Sequence, residues 1–64
     1  MIRIIGRKSD KRDLKESSRL SDIMQTMLIS NERFIALING SPATSDDIVS
    51  PDDDLVFLEV FSGG

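Results

Sequence analysis

Ser62, Gly63 and Gly64 close the sequence on the residues with the clearest chemical use. A glycine carboxylate is the sterically most open acyl group a polypeptide can offer. An enzyme can activate it as an acyl-adenylate, and a nucleophile can then attack the carbonyl carbon. Two glycines without Cβ atoms also let the backbone enter a narrow channel in torsions closed to other residues. The pair stands just after Leu55-Val56-Phe57-Leu58-Glu59-Val60-Phe61, the strongest strand signal in the chain. That placement predicts a short, flexible tail over residues 62–64, projecting from a rigid body formed by residues 1–61. Other reactive chemistry is scarce. The chain contains no His and no Cys, and no phosphate-cradling glycine loop, so no catalytic residue of its own is expected. Asp46, Asp47, Asp52, Asp53 and Asp54 are the one remaining concentration of ligating groups. Their spacing lacks the regular calcium-loop pattern and its closing Glu. A solvated acidic loop, or one that meets a basic partner, is expected there, and no metal site.

A chain of 64 residues is one domain at most, and it buries only about 60% of the surface its unfolded form exposes. Without cysteines or a metal, its core rests on aliphatic packing. The lack of Cys fits a reducing cytoplasm. Apolar runs are far shorter than the roughly 20 residues a membrane span requires. Met1 leads directly into strand-like sequence, so no signal or transit segment is expected. The net charge of −3 argues against a general nucleic-acid binder. That charge is unevenly placed. Residues 1–20 hold seven basic and three acidic side chains, a local +4, and residues 21–64 hold one basic and eight acidic, a local −7. Such polarity either orients a partner at encounter or merely keeps a small protein soluble.

The elements that must position the tail follow from periodicity. Met1-Ile2-Arg3-Ile4-Ile5, bounded by Gly6, reads as a strand. Residues 7–11 read as a hairpin connection, and residues 12–17 as a polar edge strand anchored by Leu14. Leu20, Ile23, Met24, Met27 and Leu28 then fall on one face of a helix. Ser18 or Ser21 is the expected N-cap, Asp22 suits the first turn, and Ser30-Asn31 is the expected stop. The methionine-rich stripe is read as the core face of that helix. Residues 33–38 read as a strand, Asn39-Gly40 as a turn, residues 41–44 as a short strand, and residues 45–54 as an irregular loop. A single helix must then cover one face of a mixed sheet of four to five strands, an α+β arrangement in two layers.

A sheet covered on one face should alternate apolar with polar residues, and the three best strands do not. With Ile2, Ile4, Ala36, Ile38, Leu55 and Phe57 turned to the helix, Ile5, Ile35, Leu37, Val56 and Leu58 face away from it. Contiguous exposed apolar residues mark contact surfaces, although scattered ones are ordinary.

The chain length, the element order, the turn Leu37-Ile38-Asn39-Gly40, the aspartate loop before the last strand and the ending Val60-Phe61-Ser62-Gly63-Gly64 resemble the ubiquitin-like sulfur carriers. That family includes the ThiS-like and MoaD-like carriers and the archaeal small modifier proteins. The resemblance covers the whole chain and is most specific from Ile38 onward. It departs at the loop, where Asp52-Asp53-Asp54 stands in place of the usual Asp-Gly-Asp. The resemblance implies a β-grasp (ubiquitin-like) fold and a carrier cycle with no bound cofactor. A ubiquitin-activating-type adenylyltransferase would use ATP to adenylate the carboxylate of Gly64. Sulfur from a persulfide donor would displace AMP, and a downstream biosynthetic enzyme would take sulfur from the resulting thiocarboxylate, in thiamine or molybdopterin synthesis or in tRNA thiolation. Ile5, Leu37, Val56 and Leu58 correspond to the docking face, and Phe61, Ser62 and Gly63 to the tail that the activating enzyme recognises. The alternative is a protein modifier joined through Gly64 to lysines of other proteins. A passive binding module using the open face, with the glycines incidental, is a third reading.

Overall fold

The strand carrying Leu55–Glu59 lies at the centre of a five-stranded sheet, between an N-terminal strand parallel to it and a middle strand antiparallel to it. These coordinates come from a computed structural model, which describes residues 1–60. Phe61, Ser62, Gly63 and Gly64, and with them the expected boundary between body and tail, lie outside the described residues. In chain order the elements are β1 (Ile2–Ile5), β2 (Asp10–Arg12), β3 (Ser18–Arg19), α1 (Leu20–Met27), β4 (Phe34–Ile38), β5 (Ser41–Pro42), β6 (Ile48–Val49) and β7 (Leu55–Glu59). The main sheet has the order β2-β1-β7-β4-β5, and β3 pairs with β6 in a separate two-stranded ladder. One parallel pair in an otherwise antiparallel sheet, with a single helix among the described residues, makes a β-grasp-like α+β fold.

The inward face follows the expected parity. Ile2, Ala36, Leu55 and Phe57 are buried with Leu20 and Ile23 of the helix, and Ile4, Ile38, Met24 and Met27 pack against that cluster. The methionines therefore belong to the core face. Val49, which the sequence placed in an irregular loop, is wholly buried. Pairing of β6 with β3 explains this, because the ladder sets Ser18 opposite Val49 and Arg19 opposite Ile48. The 45–54 segment is thus a structural part of the core. The second strand also differs from expectation. Asp10–Arg12 pairs antiparallel with β1, and Leu14 packs against the core from outside any strand. The hairpin is tighter because Ile4 pairs with Asp10 across a short connection.

Both ends of α1 are closed by means other than those the sequence suggested. Arg19 occupies the N-cap and makes no side-chain cap. The first helical N–H groups are instead taken by the 45–47 backbone, where Leu20 N donates to Asp47 O at 2.8 Å and Ser21 N to Ser45 O at 3.1 Å. A helix start needs acceptors, and a neighbouring loop supplies them as well as a serine does. At the other end Leu28 turns left-handed (φ 56°, ψ 44°) and is 93% exposed, so it leaves the apolar stripe. Leu28 N donates to Gln25 O and Ile29 N to Met24 O, the bond pattern of a Schellman stop. Ile29 takes the core contact expected of Leu28.

The aspartate loop is held from within. Asp47 Oδ2 accepts from Thr44 N while Asp47 N donates to Thr44 O, and Asp53 repeats the arrangement with Ser50. Asp53 Oδ1 also accepts from Asn39 Nδ2 at 3.0 Å, and Asp54 N donates to Asn39 Oδ1 at 2.9 Å. Asn39 and Gly40 both have positive φ (51° and 84°), which suits a tight hairpin turn. The turn after β4 is therefore tied to the entry of β7. The reciprocal Ser50–Asp53 bonds give the loop its geometry.

Two outcomes follow. A left-handed residue with a Cβ costs about 1–2 kcal/mol, while glycine loses back roughly 0.4–1 kcal/mol through the unfolded chain. Leu28→Gly should therefore raise stability by about 0.5–1 kcal/mol, read as a higher urea midpoint at unchanged slope. The Ser50 backbone N–H, then the Asn39 amide, hold the Asp53 carboxyl below its ordinary value. A carboxyl lowered on folding stabilises above its unfolded value and loses that contribution as pH falls through the folded one. Asp53→Asn should therefore melt lower than the parent at neutral pH. The gap should close as pH falls from about 4 downward, followed by thermal unfolding in a pH series.

Candidate functional site

Helix α1 covers only one face of the sheet, and β-strand alternation sends every second side chain to the other. The register shows what collects there. Ile5 pairs with Leu58, and Leu58 pairs with Ile35, so these three form one row across β1, β7 and β4. The next row is Arg3, Val56 and Leu37. All four residues expected to form a docking face, Ile5, Leu37, Val56 and Leu58, thus lie together on the open face. Ile35 stands beside them. Ile5 and Ile35 are 48% and 49% exposed, and Leu37, Val56 and Leu58 are half-buried. Five apolar side chains on three adjacent strands make a contiguous patch. Val60, directly after β7, is also an exposed apolar residue.

Polar groups border this patch on the β1–β2 side. Arg3 shares its row with Lys11 across the β1–β2 ladder. Arg3 Nη2 donates to Asp54 Oδ2 at 2.7 Å, with both side chains substantially exposed. A pair so open to solvent is worth at most about 1 kcal/mol, so it orients Arg3 more than it stabilises the fold. Arg3 Nε is shielded from solvent and has no acceptor.

The end of β7, where the chain passes toward residues 61–64, is fixed from both sides. Arg7 N donates to Glu59 Oε1 at 2.8 Å, and Val60 N donates to Arg33 O at 2.7 Å. Gly6 lies against the Glu59 side chain. A Cβ built on Gly6 would stand 2.6 Å from Glu59 Cβ, closer than two carbons can sit. Sequence reasoning took Gly6 only as a strand boundary. Its second role depends on Glu59, 53 positions away, and no local signal announces it. Arg7, Lys8, Arg33, Phe34 and Glu59 line a shallow depression at this end of the sheet.

Phe61, Ser62, Gly63 and Gly64, the expected recognition segment and reacting residue, lie outside the described residues. Of the five loop aspartates, Asp47 and Asp53 close turns and Asp54 meets Arg3. Among the described residues no group of three or more His, Cys, Asp or Glu side chains is placed to hold a metal ion. No helix among them is long and apolar enough to cross a membrane. The fold and the apolar face define a β-grasp-like body with one sheet surface that the other described residues leave uncovered. No protein-family model matches the chain.

The close approach at Gly6 gives a direct test of how the exit of β7 is held. Gly6→Ala forces Glu59 aside and loosens its bond to Arg7 N. Overpacking of this kind costs about 1–3 kcal/mol, expected as a lower thermal midpoint. Gly6→Ala with Glu59→Gly together, which removes the opposing Cβ, should recover part of that loss.

Proposed function

We propose that the chain is a ubiquitin-like sulfur carrier, and that Gly64 bears the group it carries. The single observation that supports the reading most is the Gly63-Gly64 pair a few residues beyond the central strand of a β-grasp-like sheet. In this reading a ubiquitin-activating-type adenylyltransferase docks on the open face through Ile5, Leu37, Val56 and Leu58. Phe61, Ser62 and Gly63 lead the chain into its active site. The Gly64 carboxylate attacks ATP, pyrophosphate leaves, and an acyl-adenylate forms. The terminal sulfur of a persulfide donor then attacks the acyl carbon, AMP leaves and an acyl disulfide forms. A second thiol of the partner enzymes attacks the donor sulfur of that disulfide, and the S–S bond breaks. The two partner thiols end oxidised as a disulfide, and Gly64 ends as a thiocarboxylate that a downstream biosynthetic enzyme consumes. The carrier acts in the cytoplasm and is a substrate rather than a catalyst.

The chemistry asks little of the carrier's side chains. Its body has to present the tail at a fixed place beside a surface the enzyme can grip, and the geometry around Glu59 and Val60 is suited to that. Apolar contact supplies the grip. Burying a side chain such as Leu58 contributes about 1.5–3 kcal/mol, so a handful of such contacts is enough for a transient complex.

Incubation with ATP, an activating enzyme and a persulfide donor, followed by intact mass measurement, tests the reading. The expected product is heavier by the difference between one sulfur and one oxygen, and the chain lacking Gly63 and Gly64 shows no change. An unaltered mass with every activating enzyme of the source cell would overturn it. Gly-Gly remnants on lysines of other proteins, with no thiocarboxylate, would instead favour the protein-modifier reading.

A further inference from the structure

Most of the main sheet's edge is closed to further pairing, and one stretch is not. β2 presents Asp10, Lys11 and Arg12, all charged and exposed. β5 is two residues long and carries Pro42. Charge, proline and shortness each discourage a strand from adding to an edge. β5, however, covers only Leu37 and Ile38 of β4, so the outer side of Phe34, Ile35 and Ala36 lies beyond its ladder. In an antiparallel strand the N–H and C=O of one residue point to the same neighbour, and successive residues alternate. Arg33 O accepts from Val60 N on the β7 side, so Ile35 also faces β7 while Phe34 and Ala36 face outward. Phe34 N donates to Ser30 O, and Ala36 O accepts from Ala43 N. Phe34 O and Ala36 N are left without a partner among the described residues.

A groove runs along this edge, lined by Leu20 and Met24 of α1, by Phe34 and Ala36, and by Ala43 and Thr44. After Ala43 the chain leaves β4 and turns to the helix start, where Ser45 O accepts from Ser21 N. That departure opens the groove. None of its lining residues is charged, although 30% of the chain is. A charged group entering it would be desolvated with no opposite charge to meet. Phe34 and Ala36 have the helix-side parity, so the groove is separate from the face of Ile5 and Leu58.

We infer that this groove takes a short, extended, uncharged segment of a partner protein, added to β4 as a parallel strand. The two free groups flank Ile35. One residue of a parallel strand placed opposite Ile35 meets both, donating to Phe34 O and accepting from Ala36 N. An antiparallel strand would need a residue opposite Ala36, and the β4–β5 register already sets Ala43 there. The incoming residue opposite Phe34 turns its side chain to the helix side, where an apolar group meets Met24 and Phe34. Ala43 stops the added strand one residue later. Strand addition here requires neither Gly64 nor the open face, so it holds or fails apart from the carrier reading.

The probes are capped tetrapeptides, acetyl-Thr-Thr-X-Thr-amide with Val, Leu or Phe at X. Each is titrated to millimolar concentration into the isotope-labelled full chain and followed by NMR. At least one should move the Ala36 amide proton downfield and slow its exchange with solvent several-fold, with further shifts at Met24, Phe34 and Thr44. Two N-methylated forms of the best binder separate backbone pairing from apolar contact. Methylation of the residue after X removes the donor to Phe34 O and should weaken binding roughly tenfold. Methylation of X itself, whose N–H points away from β4, should leave binding nearly unchanged. Asp at X should weaken it at least as much as the first methylation. No shift at Ala36 with any of the peptides, or shifts centred on Ile5 and Leu58, overturns the inference. Equal effects of the two methylations reduce the contact to apolar packing, a reversed order makes the strand antiparallel, and either result also overturns it. Shifts at the same amides that grow with protein concentration alone overturn it in favour of a second copy of this chain.

Discussion

β7 is hydrogen-bonded on both sides, to β1 in parallel and to β4 antiparallel, and its inward residues Leu55 and Phe57 are wholly buried. Nearly every other feature depends on that double pairing. It brings the N-terminal strand next to the last one, so segments some 50 residues apart share rows on both faces. It places Gly6 against Glu59 and Arg3 within reach of Asp54. It also fixes the end of β7, since Glu59 Oε1 accepts from Arg7 N just after β1 and Val60 N donates to Arg33 O just before β4.

The second constraint is that a single eight-residue helix cannot cover both faces of a five-stranded sheet. The inner face closes over α1, with Val49 completing the core from the β3–β6 ladder. The outer face, open among the described residues, carries Ile5, Ile35, Leu37, Val56 and Leu58. A chain this small has few apolar residues to spare for a surface. Their concentration on one face is therefore more informative than the same residues would be scattered.

The aspartates show how one composition can serve different ends. Read as a charge run, residues 46–54 suggest a solvated loop. In the fold, Asp47 and Asp53 each close a turn by accepting one backbone N–H and returning another. The carbonyls of residues 45 and 47 cap the helix. The acidic segment thus joins the helix start to the entry of β7 through Asn39. Part of its charge is a by-product of turn chemistry.

The sequence alone determined the parts governed by local periodicity and covalent chemistry. The helix that carries Leu20, Ile23, Met24 and Met27 on one face, the three long strands, the Asn39-Gly40 turn and the division of side chains between two faces all follow from spacing, while the end of the helix at Met27 does not. The openness of a glycine carboxylate is likewise a property of the residue itself. Tertiary structure alone decided the features set by contacts distant in sequence. Ser18 and Ser21 gave way as caps because the 45–47 backbone already supplied acceptors. Leu28 left the stripe because a left-handed stop handed its place to Ile29. Val49 became core only once β6 had found β3. The residues of the open face could be assigned by parity, but their assembly into adjacent rows required the parallel register of β1 on β7, which no short window of sequence encodes.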